Sequence, residues 1–479
     1  MMRVFSHVLS LTLLSALLAS QAGAQTEAQA PAESVTPAPA QDAAQAPASA
    51  DSTVLNPPAL KVDGENGHEL TINDAIQRAM TRSYSVAGAQ ANREAQREAA
   101  RGAISRVGPS GTVTYNETRF EDAQIANFNG NPITIRGDRT KTGSIIVTQP
   151  ITGLYGYIEN ARASDLQEEI SEEALKKARA DAGFAGAQAF LDAYAAQEQV
   201  GIAQASVASN QSAFNDANVQ NRVGRINQAD FLKFQLGLSQ AQSRLAQARA
   251  RQVISIAVLR QTLQMPDSEA FYLNNKLPEP RVDAIAVDAA VQEALKNRPD
   301  LKQAEKTAEY ATFNTKLATT EFIPSVELFA QMDRNFGEIT ALGNPDKDVK
   351  YYGVKMQWNF WNNGASVFKI RESMARTRFA ESQAEIAKDN VRLDVIQAVQ
   401  NLQASQESLK QAEVGIKQAD EAYRIDQVRY KSGGITASDR ILSESTKSSV
   451  QGDFVTARTS LLSWYFKLQQ ALGKETPTL

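Results

Sequence analysis

The chain contains one segment twice. Thr71-Ile72-Asn73-Asp74-Ala75-Ile76-Gln77-Arg78-Ala79-Met80 aligns with Ala286-Val287-Asp288-Ala289-Ala290-Val291-Gln292-Glu293-Ala294-Leu295 at an offset of 215 residues, which still holds where Pro109-Ser110 meets Pro324-Ser325. Val223-Gly224-Arg225-Ile226-Asn227-Gln228-Ala229-Asp230 then aligns with Ser432-Gly433-Gly434-Ile435-Thr436-Ala437-Ser438-Asp439 at an offset of 209. Two copies of a unit of roughly 200 residues impose pseudo-symmetry inside one protomer. The period is far longer than a solenoid repeat, so each copy must hold several secondary-structure elements.

Most of each copy reads as helix. Six of the 16 prolines (Pro31, Pro37, Pro39, Pro47, Pro57, Pro58) fall within residues 31–58. The repeats are left nearly proline-free and rich in Ala, Gln, Ser, Glu and Arg, the profile of long helices. In the second copy Val391, Val395, Ala398, Leu402, Ser405, Leu409, Ala412, Ile416, Ala419, Tyr423, Asp426 and Tyr430 form a heptad seam. One seam position is mostly large and the other mostly small, which lets paired helices interlock closely. The first copy repeats the pattern with Ala189, Ala196, Val200, Ala203, Val207, Phe214 and Ala217. Return helices show the same spacing at Phe231, Phe234, Leu238, Ala241, Leu245 and Ala248, and at Val450, Phe454, Ala457, Leu461, Trp464, Leu468 and Ala471. A helix over 154–218 would be about 100 Å long, and helices over 71–106 and 228–264 would each be near half that. Stacked end to end, the shorter two match the long one. A plain coiled-coil rod fits the helices equally well.

Each copy also interrupts its helices with two strand-like segments, about 110–118 and 140–149 in the first, and about 324–332 and 350–360 in the second. Tyr352, Val354, Met356, Trp358 and Phe360 alternate with Gly353, Lys355, Gln357 and Asn359, and Val326, Leu328, Ala330 and Met332 alternate with Glu327, Phe329 and Gln331. Alternation over about 10 residues suits a transmembrane β-strand, apolar outward and polar inward. Tyr352, Trp358, Phe360 and Trp361 are candidates for an interfacial aromatic girdle. The polar segments 119–138 and 333–349 read as loops. Four strands are too few to close a barrel, and an open edge cannot sit in lipid. Several protomers must therefore pool strands, and three would give twelve; the alternative is a soluble four-stranded sheet capping a coiled coil.

The remaining composition excludes other classes. Cysteine is absent, and the two histidines are His7 and His68. No constellation for an enzyme, a metal site or a cofactor is present. A net charge of −4 gives no case for nucleic acid. Arg3, an apolar run over 8–19 and Ala22-Gly23-Ala24 read as a secretory signal peptide over 1–24, the run being too short for a membrane anchor. Residues 25–66 form an Ala/Pro/Gln-rich segment expected to be disordered. The first repeat covers 67–264, a linker 265–284, the second repeat 285–474 and a tail 475–479.

The signal peptide, the duplicated helix–hairpin–helix unit, Pro109 and Pro324 at the strand starts, and Trp358-Asn359-Phe360-Trp361-Asn362-Asn363-Gly364 together resemble the TolC-like outer-membrane efflux proteins. Val428-Arg429-Tyr430-Lys431-Ser432-Gly433-Gly434-Ile435-Thr436-Ala437-Ser438-Asp439 is similar to that family's turn between long and return helices. The resemblance covers about 68–474. It implies a mostly α fold with membrane β: a homotrimer whose helical hairpins form a periplasmic α-barrel tunnel beneath a shared 12-stranded outer-membrane β-barrel, four strands from each protomer. It also implies a passive exit duct in outer-membrane lipid, extending into the periplasm. Such a duct serves a tripartite efflux pump or a type I secretion system, with a periplasmic adaptor and an inner-membrane transporter of resistance-nodulation-division or ABC type. The competing class is a periplasmic coiled-coil structural or adaptor protein.

The family's constriction aspartate falls on Asp439, which also suits the first turn of a helix in its own right. A second family aspartate falls on Leu442, where an apolar ring would gate by dewetting. A tip-closing tyrosine and its acidic partner fall on Tyr430 and Asp230, although Tyr430 is equally the last large seam residue. The turns at Gly224, Arg225, Gly433 and Gly434 are the implied adaptor contacts.

Overall fold

The computed structural model describes residues 67–128, 130–152, 154–274, 277–278, 280, 285–336 and 348–474. The segments expected over 1–24, 25–66 and 475–479 lie outside the described residues, as do parts of 265–284 and 333–349. The first copy runs β1 (His68–Leu70), α1 (Ile72–Arg82), α2 (Tyr84–Ser105), β2 (Ser110–Arg119), β3 (Gln124–Phe128), β4 (Asn131–Arg136), β5 (Arg139–Pro150), α3 (Leu154–Arg222) and α4 (Gln228–Thr262). β6 (Phe271–Leu273) pairs in parallel with β1. The second copy runs α5 (Val287–Asn297), α6 (Pro299–Thr319), β7 (Ser325–Asn335), β8 (Asp348–Gln357), α7 (Ala365–Lys431) and α8 (Ala437–Ala471).

Each long helix carries shorter ones in series. Val86 of α2 packs on Leu175 and Ala182 of α3, and Phe234 of α4 packs on Ala213 and Ala217 nearer the other end of α3. α6 and α8 share α7 in the same way. At 69 and 67 residues, α3 and α7 are each about 100 Å long.

The segment 71–106 is two helices rather than one. Ser83 ends α1 and caps α2, its hydroxyl accepting from the Ser85 amide at 3.3 Å. The equivalent residue 215 positions on is Arg298. Pro299 follows it as the first residue of α6, where a missing N–H leaves no bond unmade.

The duplication is visible in the cores. Ile72, Ala75, Ile76 and Ala79 of α1 lock onto Phe190, Leu191 and Ala193 of α3 and Leu259 of α4. Ala290 and Ala294 of α5 lock onto Val391, Val395, Ala398 and Leu402 of α7 and Leu461 and Leu468 of α8. Burying each of the Val, Leu, Ile and Phe side chains stabilises by about 1.5–3 kcal/mol, and the alanines let the helices approach closely. The α7 seam is fully buried only down to Ser405, because below it fewer helices surround α7, and Leu409, Ala412, Ile416 and Tyr423 are only half-buried.

The four long strands form one antiparallel sheet in the order β2-β5-β7-β8. The register aligns Val113 with Ile145, Ile145 with Met332, Val147 with Ala330, Ala330 with Tyr352, and Leu328 with Val354. Opposed residues share a face, so one face is apolar across all four strands. The other carries Thr114, Ser144, Gln331, Glu327 and Lys355, with Phe329 lying over Gly353, where a Cβ would sit 3.2 Å from the ring. The apolar face is uncovered: Tyr352 is 90% and Val113 76% exposed. The segment 119–138, read from sequence as a loop, holds the β3–β4 hairpin. The last strand stops at Gln357, so Trp358, Phe360 and Trp361 lie beyond it on the way to α7. Asn363 and Gly364 there adopt φ of +53° and +83°, a left-handed pair that turns the chain into α7.

Where α1 crosses α3, Gly186 has no room for a side chain. A Cβ would lie 2.7 Å from that of Ala79 and 2.8 Å from the Ala75 carbonyl. Gly186→Val is expected to destabilise by roughly 1–3 kcal/mol, seen as a lower denaturant midpoint. Gly201→Ala, on the same helix with nothing within 4 Å, is expected to be neutral or stabilising by up to about 1 kcal/mol.

Candidate functional site

The two helical hairpins end in one architecture built twice. The Arg225 amide donates to the Gln220 carbonyl at 2.9 Å, and the Gly434 amide to the Arg429 carbonyl at 2.8 Å. Gly224 and Gly433 take φ of +71° and +80°. This is the left-handed C-cap with its six-to-one bond, which glycine adopts without steric cost. The return helices are capped alike. Asn227 accepts from the Asp230 amide at 2.7 Å, and Thr436 accepts from the Asp439 amide at 3.2 Å.

Asp439 closes a capping box. Its Oδ2 accepts from the Thr436 amide at 3.0 Å and from the Thr436 hydroxyl at 2.8 Å. These side-chain and backbone hydrogen bonds hold its carboxyl below the usual carboxylate range, a shift that burial opposes slightly and Lys233 assists. The capping role is therefore realised, yet the carboxylate remains exposed. Leu442, one turn on, is 66% exposed. Thr446, Ser449, Asp453 and Thr456 continue the same exposed face along α8.

Tyr430 lies at a junction of all four hairpin helices. Its ring meets Phe234 edge-on at 5.6 Å, and the Arg440 guanidinium lies 5.1 Å over it. Ala213, Ala217 and Ala437 complete the cluster. The seam reading of Tyr430 is thus met by its ring. Asp230 accepts from Lys233 Nζ at 3.0 Å and acts on the Tyr430 hydroxyl through its charge. Burial first, then Asp230 and Asp216, push that hydroxyl upward in pKa, with Arg440 opposing them.

Above this junction lie ties between the hairpins that the sequence reading missed. Asn210 Nδ2 of α3 donates to Glu444 Oε2 of α8 at 2.9 Å, with both residues buried. The hydroxyls of Ser209 and Tyr423 are 2.7 Å apart. Within the second hairpin, Lys447 of α8 pairs with Asp420 of α7 at 3.1 Å. A signal was present, since Asn210 sits between Val207 and Phe214 at heptad spacing. A polar residue in an apolar seam commonly fixes register.

Residues 290–474 match the family model described as outer membrane efflux protein. No curated protein sequence matches the chain. Solved structures share its fold. The Campylobacter jejuni CmeC outer membrane channel is 14% identical, with a TM-score of 0.73 over 84% of this chain and 85% of its own. The Vibrio cholerae outer membrane protein VceC is 17% identical, with a TM-score of 0.70 over 84% and 96%. The open state of the Neisseria gonorrhoeae MtrE outer membrane channel is 17% identical, with a TM-score of 0.66 over 85% and 89%.

Removing the buried amide tests the tie between the hairpins. Asn210→Ala leaves the Glu444 carboxylate short of a donor in a buried site and is expected to cost about 1.5–3 kcal/mol. Trypsin should then cut faster at Lys431 and Arg225, while Asn215→Ala, on an exposed face, should leave the cleavage rate unchanged.

Proposed function

We propose that this chain, an outer membrane efflux protein of the TolC-like type, works as a homotrimeric exit duct that opens outward through a shared 12-stranded barrel. The protein is a passive outer-membrane conduit reaching into the periplasm, and it needs no catalytic group. The observation that carries the trimeric reading is the sheet. It presents one continuous apolar face and leaves β2 and β8 as edges. In hydrocarbon those edges must pair, and β8 of one protomer meets β2 of the next if copies close into a ring. Tyr352, Trp358, Phe360 and Trp361, all exposed, would mark the membrane boundary.

The hairpin ends form the periplasmic tip. Asp439 and Leu442 line the constriction as threefold rings, the first by its field and the second by excluding water. The Tyr430 ring and the charge of Asp230 hold the tip shut. Gly224, Arg225, Gly433 and Gly434 meet a periplasmic adaptor, which links the duct to an inner-membrane transporter of resistance-nodulation-division or ABC type.

The native mass of the mature protein, extracted in detergent from outer-membrane fractions, tests the assembly. A trimer that dissociates on heating is expected. A soluble monomer or dimer would overturn the barrel and leave a coiled-coil rod capped by a soluble sheet.

Conductance in planar bilayers tests the tip. Asp439→Asn is expected to weaken cation preference, and Leu442→Ser to raise conductance. The folded carboxyl of Asp439 lies below its ordinary range, so its charge is complete above that range and is lost only as pH falls through the lowered value. Thr436→Val removes the main cause of the shift. It is expected to move the loss of cation preference to higher pH.

A further inference from the structure

Midway along the hairpins α4 and α8 part, and α3 forms the floor between them. A cavity of about 320 Å³ occupies the gap. Arg244 and Arg251 line one wall from α4, and Ser445, Ser448 and Ser449 line the other from α8, with buried Ser206 beneath. No carboxylate lines it. The neighbouring acid, Glu444, already accepts from Asn210 and from the Ser448 hydroxyl. Arg244 donates to Ser445 Oγ at 3.1 Å, and among the described residues neither guanidinium meets an acid. The two arginines stand two turns apart on one helical face, about 10 Å along the axis. Their like charges face one chamber with hydroxyls opposite.

We propose that this cavity binds a tetrahedral oxyanion of the phosphate or sulfate class, which bridges Arg244 and Arg251 of α4 to the hydroxyls of Ser445 and Ser449 of α8. Guanidinium forks match such an anion with paired N–H donors. A tetrahedral ion has oxygens left to accept from the opposite wall, whereas a planar carboxylate directs both of its oxygens to one side. Bound there, the ion adds a second link to the direct Arg244–Ser445 bond between α4 and α8. It also offsets the repulsion between the arginines. Just below, a second cavity shares Ser445 and is lined by Leu236, Ile441 and Leu442 together with Lys233, Gln240 and Ser438. An alkyl group attached to the phosphoryl group would fit there.

The test is isothermal titration calorimetry on the full mature protein in detergent, at constant ionic strength, with inorganic phosphate and with hexyl phosphate. Saturable binding is expected. R244Q/R251Q should weaken it at least about tenfold, the size of one charge-assisted contact. R249Q, whose arginine does not line the cavity, should bind as the parent does. Tighter binding of hexyl phosphate would identify the ligand as a phosphoryl group on an apolar molecule; equal binding would identify the free ion. If R244Q/R251Q fails to assemble, S445A/S449A reads the opposite wall and should weaken binding about threefold or more. Absence of saturable heat with either probe, or unchanged affinity in whichever of these variants assembles, would overturn the proposal.

Discussion

Backbone hydrogen bonding sets the terms for the whole structure. An outer-membrane strand must pair both its edges, because nothing in hydrocarbon can bond a free N–H or C=O. Here the four long strands pair internally and leave β2 and β8 bare on their outer sides. In the proposed trimer the protomer would be an arc of a closed surface. The helices inherit that arc, because β5 leads within four residues into α3, and β8 reaches α7 through the Asn363-Gly364 turn. Each strand pair delivers one helix of about 100 Å, and ring closure at the sheet, as proposed, would place those helices side by side.

How far the sequence disclosed this depends on the signal each element left. The β8 alternation was legible because a period of two survives whichever way the face points. The long helices were legible because their seams lack proline and keep heptad spacing. The break at Ser83 was not, since a serine in a polar helical stretch carries no mark of its own. Only comparison with Arg298-Pro299, 215 residues on, gives it away. The β3–β4 hairpin was hidden by polar composition, although Asn129-Gly130 is a strong short-range hairpin dipeptide. Gly130 does take a φ of +84°.

At the tip, chain position was legible and chemistry only partly so. Both glycine turns form, and Asp230 and Asp439 both sit in the first turn of a return helix, Asp439 alone closing a capping box. What each acid touches depended on the next residues in space. Asp439 has Thr436 three residues back, whose hydroxyl gives it a capping box, while Asp230 has Asn227 there and a lysine one turn on, Lys233. The Asn210–Glu444 bond spans 234 residues, and no local pattern specifies the partner. Only the anomaly of an amide in an apolar seam pointed to it.

Arg440 occupies the place in the second hairpin that Phe231 holds in the first, 209 residues earlier. Phe231 stacks on Phe214 at 5.5 Å, whereas Arg440 spreads over Tyr430 and Phe234. A ring built from six identical hairpins would place any such exchange at all six positions, and six guanidinia around one narrow axis would repel one another. Duplication within the chain divides the hairpins into two kinds. The first hairpin keeps an aromatic pair, Phe214 and Phe231, at the position where the second carries a guanidinium. In the proposed trimer, duplication within the chain would lower the rotational symmetry of the tip, and a lower symmetry is what would let neighbouring hairpins carry different chemistry.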